Sequence, residues 1–168
     1  MKGHPVHLSG AHLKEGDKAP SFALINTAME PVGKEQFAGK IIILSCVPSL
    51  DTPTCDLETR RFNQEAALFG DKAVVITVSK DLPFAQARWC AANGIKNVLT
   101  LSDYKNEGFA SDYGVLMEET GLLARAVFII DKEGIIRYIQ FVEEVSKEPD
   151  YRAVLDKATE LIKKGESL

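Results

Sequence analysis

The chain is expected to be an α/β protein, with a central mixed β-sheet flanked by helices. Three observations carry that expectation. First, the segments 41–47 (IIILSCV), 73–79 (AVVITVS) and 126–131 (AVFIID) are apolar runs rich in β-branched residues. Runs of this kind suit strands covered on both faces. Second, stretches with helical periodicity and helix start and stop signals lie between them. Third, Asp131-Lys132-Glu133-Gly134 joins two late strands as a hairpin would. With 168 residues, the length suggests one domain, residues 1–168. A domain of this size buries about 70% of the surface of its unfolded chain and needs no disulfide staple.

The elements follow in order. Val6–Leu8 and Ala11–Leu13 flank Ser9-Gly10 and read as a small N-terminal β-hairpin over about residues 5–13. SFALIN (21–26) alternates apolar and polar, as a half-buried strand does. The run 41–47 is the first covered strand. Segment 54–69 carries Cys55, Phe62, Ala66 and Phe69 at offsets 0, 7, 11 and 14, one face of a helix. Pro53 falls near its first turn, where a missing N–H costs nothing, and Asp51 or Thr52 can cap it. After strand 73–79, LPFAQARWCAANG starts a helix at Pro83 and stops it at Gly94. Strands 126–130 and 135–142 form the late hairpin, and Pro149 opens a last helix to about Lys164. Strand–helix alternation implies parallel pairing, and the hairpin adds an antiparallel edge. The arrangement is that of a thioredoxin-like fold.

Composition narrows the function classes. A net charge of −4, with no Lys/Arg-rich run, argues against a nucleic-acid or anionic-membrane partner. The longest apolar stretches run only five to seven residues, too short to span a bilayer. The N-terminus has no apolar core of a secretory signal, and three cysteines is an odd number, which favours reactive or buried thiols. The expected compartment is the cytoplasm. His4, His7 and His12 are the only histidines and have no nearby cysteine or carboxylate pair, so they read as a solvated segment; no metal and no cofactor is expected. Glu58, Arg60 and Arg61 read as a solvated helix face, with Arg60 or Arg61 able to orient a nearby site.

The segment 45–55, SCVPSLDTPTC, holds two of the three cysteines. A thiol attacks as its thiolate, so a reactive cysteine needs positive charge or hydrogen-bond donors beside it. Cys55 falls in the first turn of a helix, where free backbone N–H groups and the dipole favour an anion. It also follows a central strand, at the sheet's carboxyl edge, the usual place for a site in open α/β folds. The pattern alone leaves Cys55 open between a reactive and a core thiol, because Phe62 and Phe69 share its face. Cys46 ends an apolar strand and reads as a small buried hydrophobe; its rival role is a thiol that pairs with Cys55. Cys90 beside Trp89 reads, on pattern alone, as a buried helix cysteine before a reactive one.

Pro48-Ser-Leu-Asp-Thr52-Pro-Thr-Cys55 matches the pattern P-x-x-x-T-x-x-C. With the segments 48–66, 79–104, 113–115, 121–131 and 146–151 in order, the chain resembles peroxiredoxins, and among them the bacterial thiol peroxidases, over roughly residues 5 to 165. The resemblance implies a thiol-specific peroxidase that reduces hydrogen peroxide and organic hydroperoxides. By resemblance, Cys55 is the peroxidatic cysteine, Thr52 hydrogen-bonds the thiolate and the peroxide, Pro48 shields the site, and Arg125 is the positive group beside the thiolate. Cys90 is implied as the resolving cysteine of the same chain, condensing with the Cys55 sulfenic acid to a disulfide. Thioredoxin is implied as reductant and a homodimer as the assembly. Where relatives commonly carry Gly-Val between the Thr and the Cys, this chain has Pro53-Thr54. The alternative reading is a peroxide-sensing redox module with little turnover.

Overall fold

The computed structural model describes residues 5–106, 108–144 and 146–166. The segment before the first covered strand contributes β1 (Leu8–Ser9), β2 (Ala23–Ile25) and β3 (Pro31–Gly33). Then follow β4 (Ile41–Cys46), α1 (Pro53–Ala66), β5 (Ala73–Ser79), α2 (Pro83–Asn93) and β6 (Val98–Ser102). The chain continues through α3 (Phe109–Asp112), β7 (Leu116–Met117), β8 (Ala126–Ile130), β9 (Ile136–Phe141) and α4 (Tyr151–Glu166).

Seven strands form one mixed sheet in the order β3-β2-β6-β5-β4-β8-β9. The apolar runs occupy its centre. β4 pairs parallel with β5 and antiparallel with β8, and β5 pairs parallel with β6. All six residues of β4 and all five of β8 are buried, as expected of strands covered on both faces. This is the mixed, helix-flanked, thioredoxin-like arrangement expected from the sequence.

Strand periodicity divides the core into two layers. Ile41, Ile43, Val75, Val127 and Ile129 face Phe62 and Ala66 of α1 and Val154 and Ala158 of α4. Ile42, Leu44, Cys46, Ile76, Val78 and Phe128 face the other way, against Phe22, Phe109 and Tyr113. Phe109 and Tyr113 stack at 4.7 Å, and Phe128 meets Tyr113 edge-on at 5.3 Å. Each aromatic pair of this kind adds about 0.5–1.5 kcal/mol beyond its buried area.

The N-terminal segment corrects one expectation. Residues 5–13 do not close on themselves as a hairpin. Leu8 and Ser9 pair antiparallel with Met117 and Leu116 of β7, and Ala11 donates its N–H to the Ser111 carbonyl at 2.8 Å. Gly10 makes the turn at φ +105°, and any Cβ there would fall 2.1 Å from the Ser111 oxygen. An isolated two-stranded hairpin is marginal in water. The segment gains more by pairing with β7, a strand of two residues too short to leave a sequence signal. Of the three histidines, His4 lies outside the described residues. His7 pairs with Glu119 at 2.5 Å, and no metal-holding cluster occurs among the described residues.

Candidate active site

The site forms where β4 ends and α1 begins. After Cys46, Val47 continues the pairing by donating to the Val78 carbonyl at 3.0 Å. Pro48 is buried at the turn. The next residues fold on themselves: Thr52 N–H and Thr52 Oγ1 both donate to the Ser49 carbonyl, at 3.2 and 3.0 Å. Thr52 has extended dihedrals and caps α1, its Oγ1 accepting the Cys55 N–H at 3.4 Å. Pro53 occupies the first helical position, where its fixed φ suits the helix and its absent N–H is no loss.

Cys55 therefore sits in the first turn of α1, fully buried. Its sulfur receives a hydrogen bond from Arg125 Nη2 at 3.2 Å. Arg125 lies just before β8 and is 1% exposed. Its other terminal nitrogen, Nη1, donates to Glu58 Oε2 in a very short contact. Glu58 Oε1 in turn accepts from Ser45 Oγ of β4 at 2.8 Å. Cys55 and Glu58 are three residues apart, so they share one face of α1, and the planar guanidinium bridges both.

The electrostatics follow from burial. Desolvation works against the charge on Arg125, yet Glu58 and Cys55 outweigh it and hold the guanidinium above its usual value. Burial pushes the Glu58 carboxyl up, while Arg125 and Ser45 pull it back. Breaking such a buried pair by removing one partner leaves an uncompensated charge, a loss of about 3–5 kcal/mol. An arginine keeps its proton, so a fixed positive charge and a helix N-terminus both meet the Cys55 sulfur.

Glu58 is thus a buried partner of Arg125 and not part of a solvated face. Helix phase held the signal, since Glu58 stands three residues after Cys55 and four before buried Phe62. Arg60 and Arg61 are exposed. Arg60 binds Asp56 at 3.0 Å and Asn93, and Arg61 binds Glu65 at 3.3 Å and lies over the Tyr151 ring.

The other two thiols differ from Cys55. Cys46 points into the opposite core layer, with Tyr113 and Phe128. Burial pushes its thiol well above the usual value, helped by the charges of Glu58 and Asp103. Cys90 lies on α2, half-buried, its sulfur 3.6 Å from Thr100 Oγ1 of β6. Burial raises its thiol too, with Thr100 opposing. All three cysteines are free thiols. Cys55 lies in α1, which packs over β5 and β6, and Cys90 lies in α2, which packs over β6. Trp89 Nε1 of α2 donates to Asp56 Oδ1 of α1 at 2.9 Å, so the neighbours of the two thiols touch while the thiols stay on separate helices.

Comparison with known proteins adds the following. The Redoxin family profile matches residues 14–155. A thiol peroxidase of Bacillus subtilis is 46% identical over 163 residues, covering 97% of each chain. One of Oceanobacillus iheyensis is 48% identical over 155 residues, covering 92% of this chain and 94% of its own. The crystal structure of a peroxiredoxin-like protein from Aquifex aeolicus superposes with a TM-score of 0.90 at 42% identity, covering 95% of this chain and 94% of that one.

Proposed function

The chain belongs to the redoxin family, and within it to the thiol peroxidases; from that premise we propose that Cys55 is the peroxidatic cysteine and Cys90 the resolving one. The enzyme reduces a peroxide substrate with a thiol reductant, as its family does. The observation that carries the residue assignment is the Arg125 guanidinium on the Cys55 sulfur at 3.2 Å.

The chemistry runs in three steps. The Cys55 thiolate attacks one peroxide oxygen, the O–O bond breaks, and its electron pair leaves on the other oxygen as alkoxide or hydroxide. Sulfur is oxidised to sulfenic acid and the leaving oxygen takes a proton from the site. Arg125 stabilises the thiolate and the departing anion, and only interactions that strengthen towards the transition state speed the step. Thr52 holds the first turn through the Cys55 N–H, and its hydroxyl, now on the Ser49 carbonyl, can turn to a bound peroxide. Pro48 adds an apolar wall that excludes water.

In the second step the Cys90 thiol attacks the sulfenic sulfur, a disulfide forms and water leaves. A disulfide needs Cα atoms within about 7 Å. Each thiol starts on its own intact helix, Cys55 in α1 and Cys90 in α2, so bond formation is expected to unwind the first turn of α1 and the C-terminal part of α2. In the third step a dithiol reductant exchanges with the disulfide and restores both thiols; we assign that role to thioredoxin. Residues 1–168 act as one domain in the cytoplasm. No helix among the described residues is long and apolar enough to cross a membrane. The working assembly is a homodimer, for which Leu57, Leu82 and Phe84 supply exposed apolar surface.

The test is steady-state NADPH consumption with thioredoxin, thioredoxin reductase and hydrogen peroxide. Sustained turnover that disappears in Cys55→Ser is expected. Undiminished turnover in Cys55→Ser would remove Cys55 from the chemistry.

A further inference from the structure

One carboxylate reaches the peroxide loop from a distant part of the chain. Asp81 follows β5 and precedes α2. Its Oδ1 accepts from Ser49 Oγ at 2.7 Å, and its Oδ2 accepts from the Leu50 N–H and from Ser79 Oγ, both at 2.8 Å. Ser49 is the residue on which the loop closes. Its carbonyl receives both the N–H and the hydroxyl of Thr52, and its Oγ accepts the Asp51 N–H at 3.1 Å. Thr52 then receives the Cys55 N–H. An unbroken chain of hydrogen bonds thus runs from Asp81 through Ser49 and Thr52 to Cys55.

Asp81 is itself held from three elements. Ser79 ends β5, Ser102 Oγ of β6 donates to the Asp81 carbonyl, and buried Gln86 of α2 donates to Ser79 Oγ at 3.0 Å and to the Leu101 carbonyl at 2.9 Å. The loop 48–52 therefore hangs from an anchor fixed in the sheet. Hydrogen bonds to an ionised acceptor are shorter and roughly twice as strong as neutral ones, so the carboxylate outranks water as a partner for the Leu50 N–H.

We propose that Asp81 is a positioning residue for the peroxidase reaction, holding the Ser49–Leu50 turn so that Pro48 and Thr52 meet the hydroperoxide in line with the Cys55 sulfur. The assignment rests on reading Cys55 as the peroxidatic thiol. It places the effect of Asp81 on the peroxide step. The charged group on the Cys55 sulfur is Arg125, which lies outside that hydrogen-bond chain; Asp81 reaches Cys55 only through the Thr52 cap. Misplacing a reacting group by about 1 Å costs on the order of a hundredfold in rate, whereas a small alkylating agent needs no such alignment.

The experiment compares two reactions of Cys55 in a Cys90→Ser parent: sulfenic acid formation with hydrogen peroxide, by rapid quench and mass spectrometry, and alkylation by iodoacetamide at the same pH. In Asp81→Asn the ratio of the peroxide rate to the alkylation rate is expected to fall about tenfold or more. A ratio within threefold of the parent overturns the assignment, because a general loosening slows both reactions alike. If Asp81→Asn does not fold, Ser49→Ala, which removes only the Oγ contacts, decides by the same ratio. A parent in which peroxide never oxidises Cys55 would sink the reading of the site itself, and Asp81 with it. An unchanged ratio on an oxidisable Cys55 would sink Asp81 alone.

Discussion

Three thiols in one chain acquire three characters from their neighbours. Cys55 has a guanidinium and a helix terminus, Cys90 a neutral hydroxyl, and Cys46 an apolar layer. Cys46 supplies a sharp pH expectation. Its folded-state thiol is held well above its ordinary value of 9.0. Below pH 9.0 both folded and unfolded chains keep the proton, and the packing of Cys46 contributes in full. Above it the unfolded chain sheds the proton while the folded one retains it, so stability falls as pH rises. In urea melts under reducing conditions, the advantage of the parent over Cys46→Ala should shrink by about 1.4 kcal/mol between pH 8 and pH 10. Parallel losses in both proteins would contradict that burial. At this scale Cys46 and the Pro48–Cys55 motif were legible in the sequence. Glu58 left only a helix-phase signal, its spacing from Cys55 and Phe62, and Asp81 left none, because a charged residue reads as solvated until its partner, far along the chain, is known.

Among the elements, α1 and α2 carry the two proposed redox thiols, and a disulfide between them is expected to move both. Gln86 ties the first half of α2 to β5 and β6. The second half is tied to α1 by Trp89 Nε1 on Asp56 at 2.9 Å and by Arg60 on Asn93. Residues adjacent to both proposed redox thiols are thus linked to one another. Unwinding should begin after Gln86, where the contacts are half-exposed. Pro53 sets the other end of the movement. It fits the first helical position, and its ring limits the conformations open to the unwound turn, an effect of about 0.4–1 kcal/mol for a compatible site. Pro53→Ala should therefore speed the step from sulfenic acid to disulfide by about two- to fivefold while leaving sulfenic acid formation unchanged. Rapid-quench mass spectrometry separates the two rates, and a slower disulfide step in Pro53→Ala would reverse the argument. The helix limits at Pro53, Pro83 and Gly94 were legible because proline and glycine act locally. The pairing of β1 with β7 was not, because it joins residues more than a hundred positions apart.

For the whole molecule, the sequence puts strands 41–47, 73–79, 126–131 and 135–142 at the heart of the sheet. β4, β5 and β8 lie there, whereas β9 is an edge strand and only partly buried. Burial on both faces leaves a composition signal. The order β3-β2-β6-β5-β4-β8-β9 left none, being fixed by packing between distant segments. The fold places Cys55 and Cys90 on two separate helices, so the proposed disulfide step predicts local unfolding and reclosure of both. The most direct test is a peptide map of the protein after one equivalent of hydrogen peroxide, for the parent and for Cys90→Ser. The parent should yield a single intramolecular Cys55–Cys90 disulfide, and Cys90→Ser a sulfenic acid on Cys55 with Cys46 unmodified. A Cys46–Cys55 disulfide in the parent would contradict the assignment of the partner, and oxidation that begins on Cys46 or Cys90 would contradict the site.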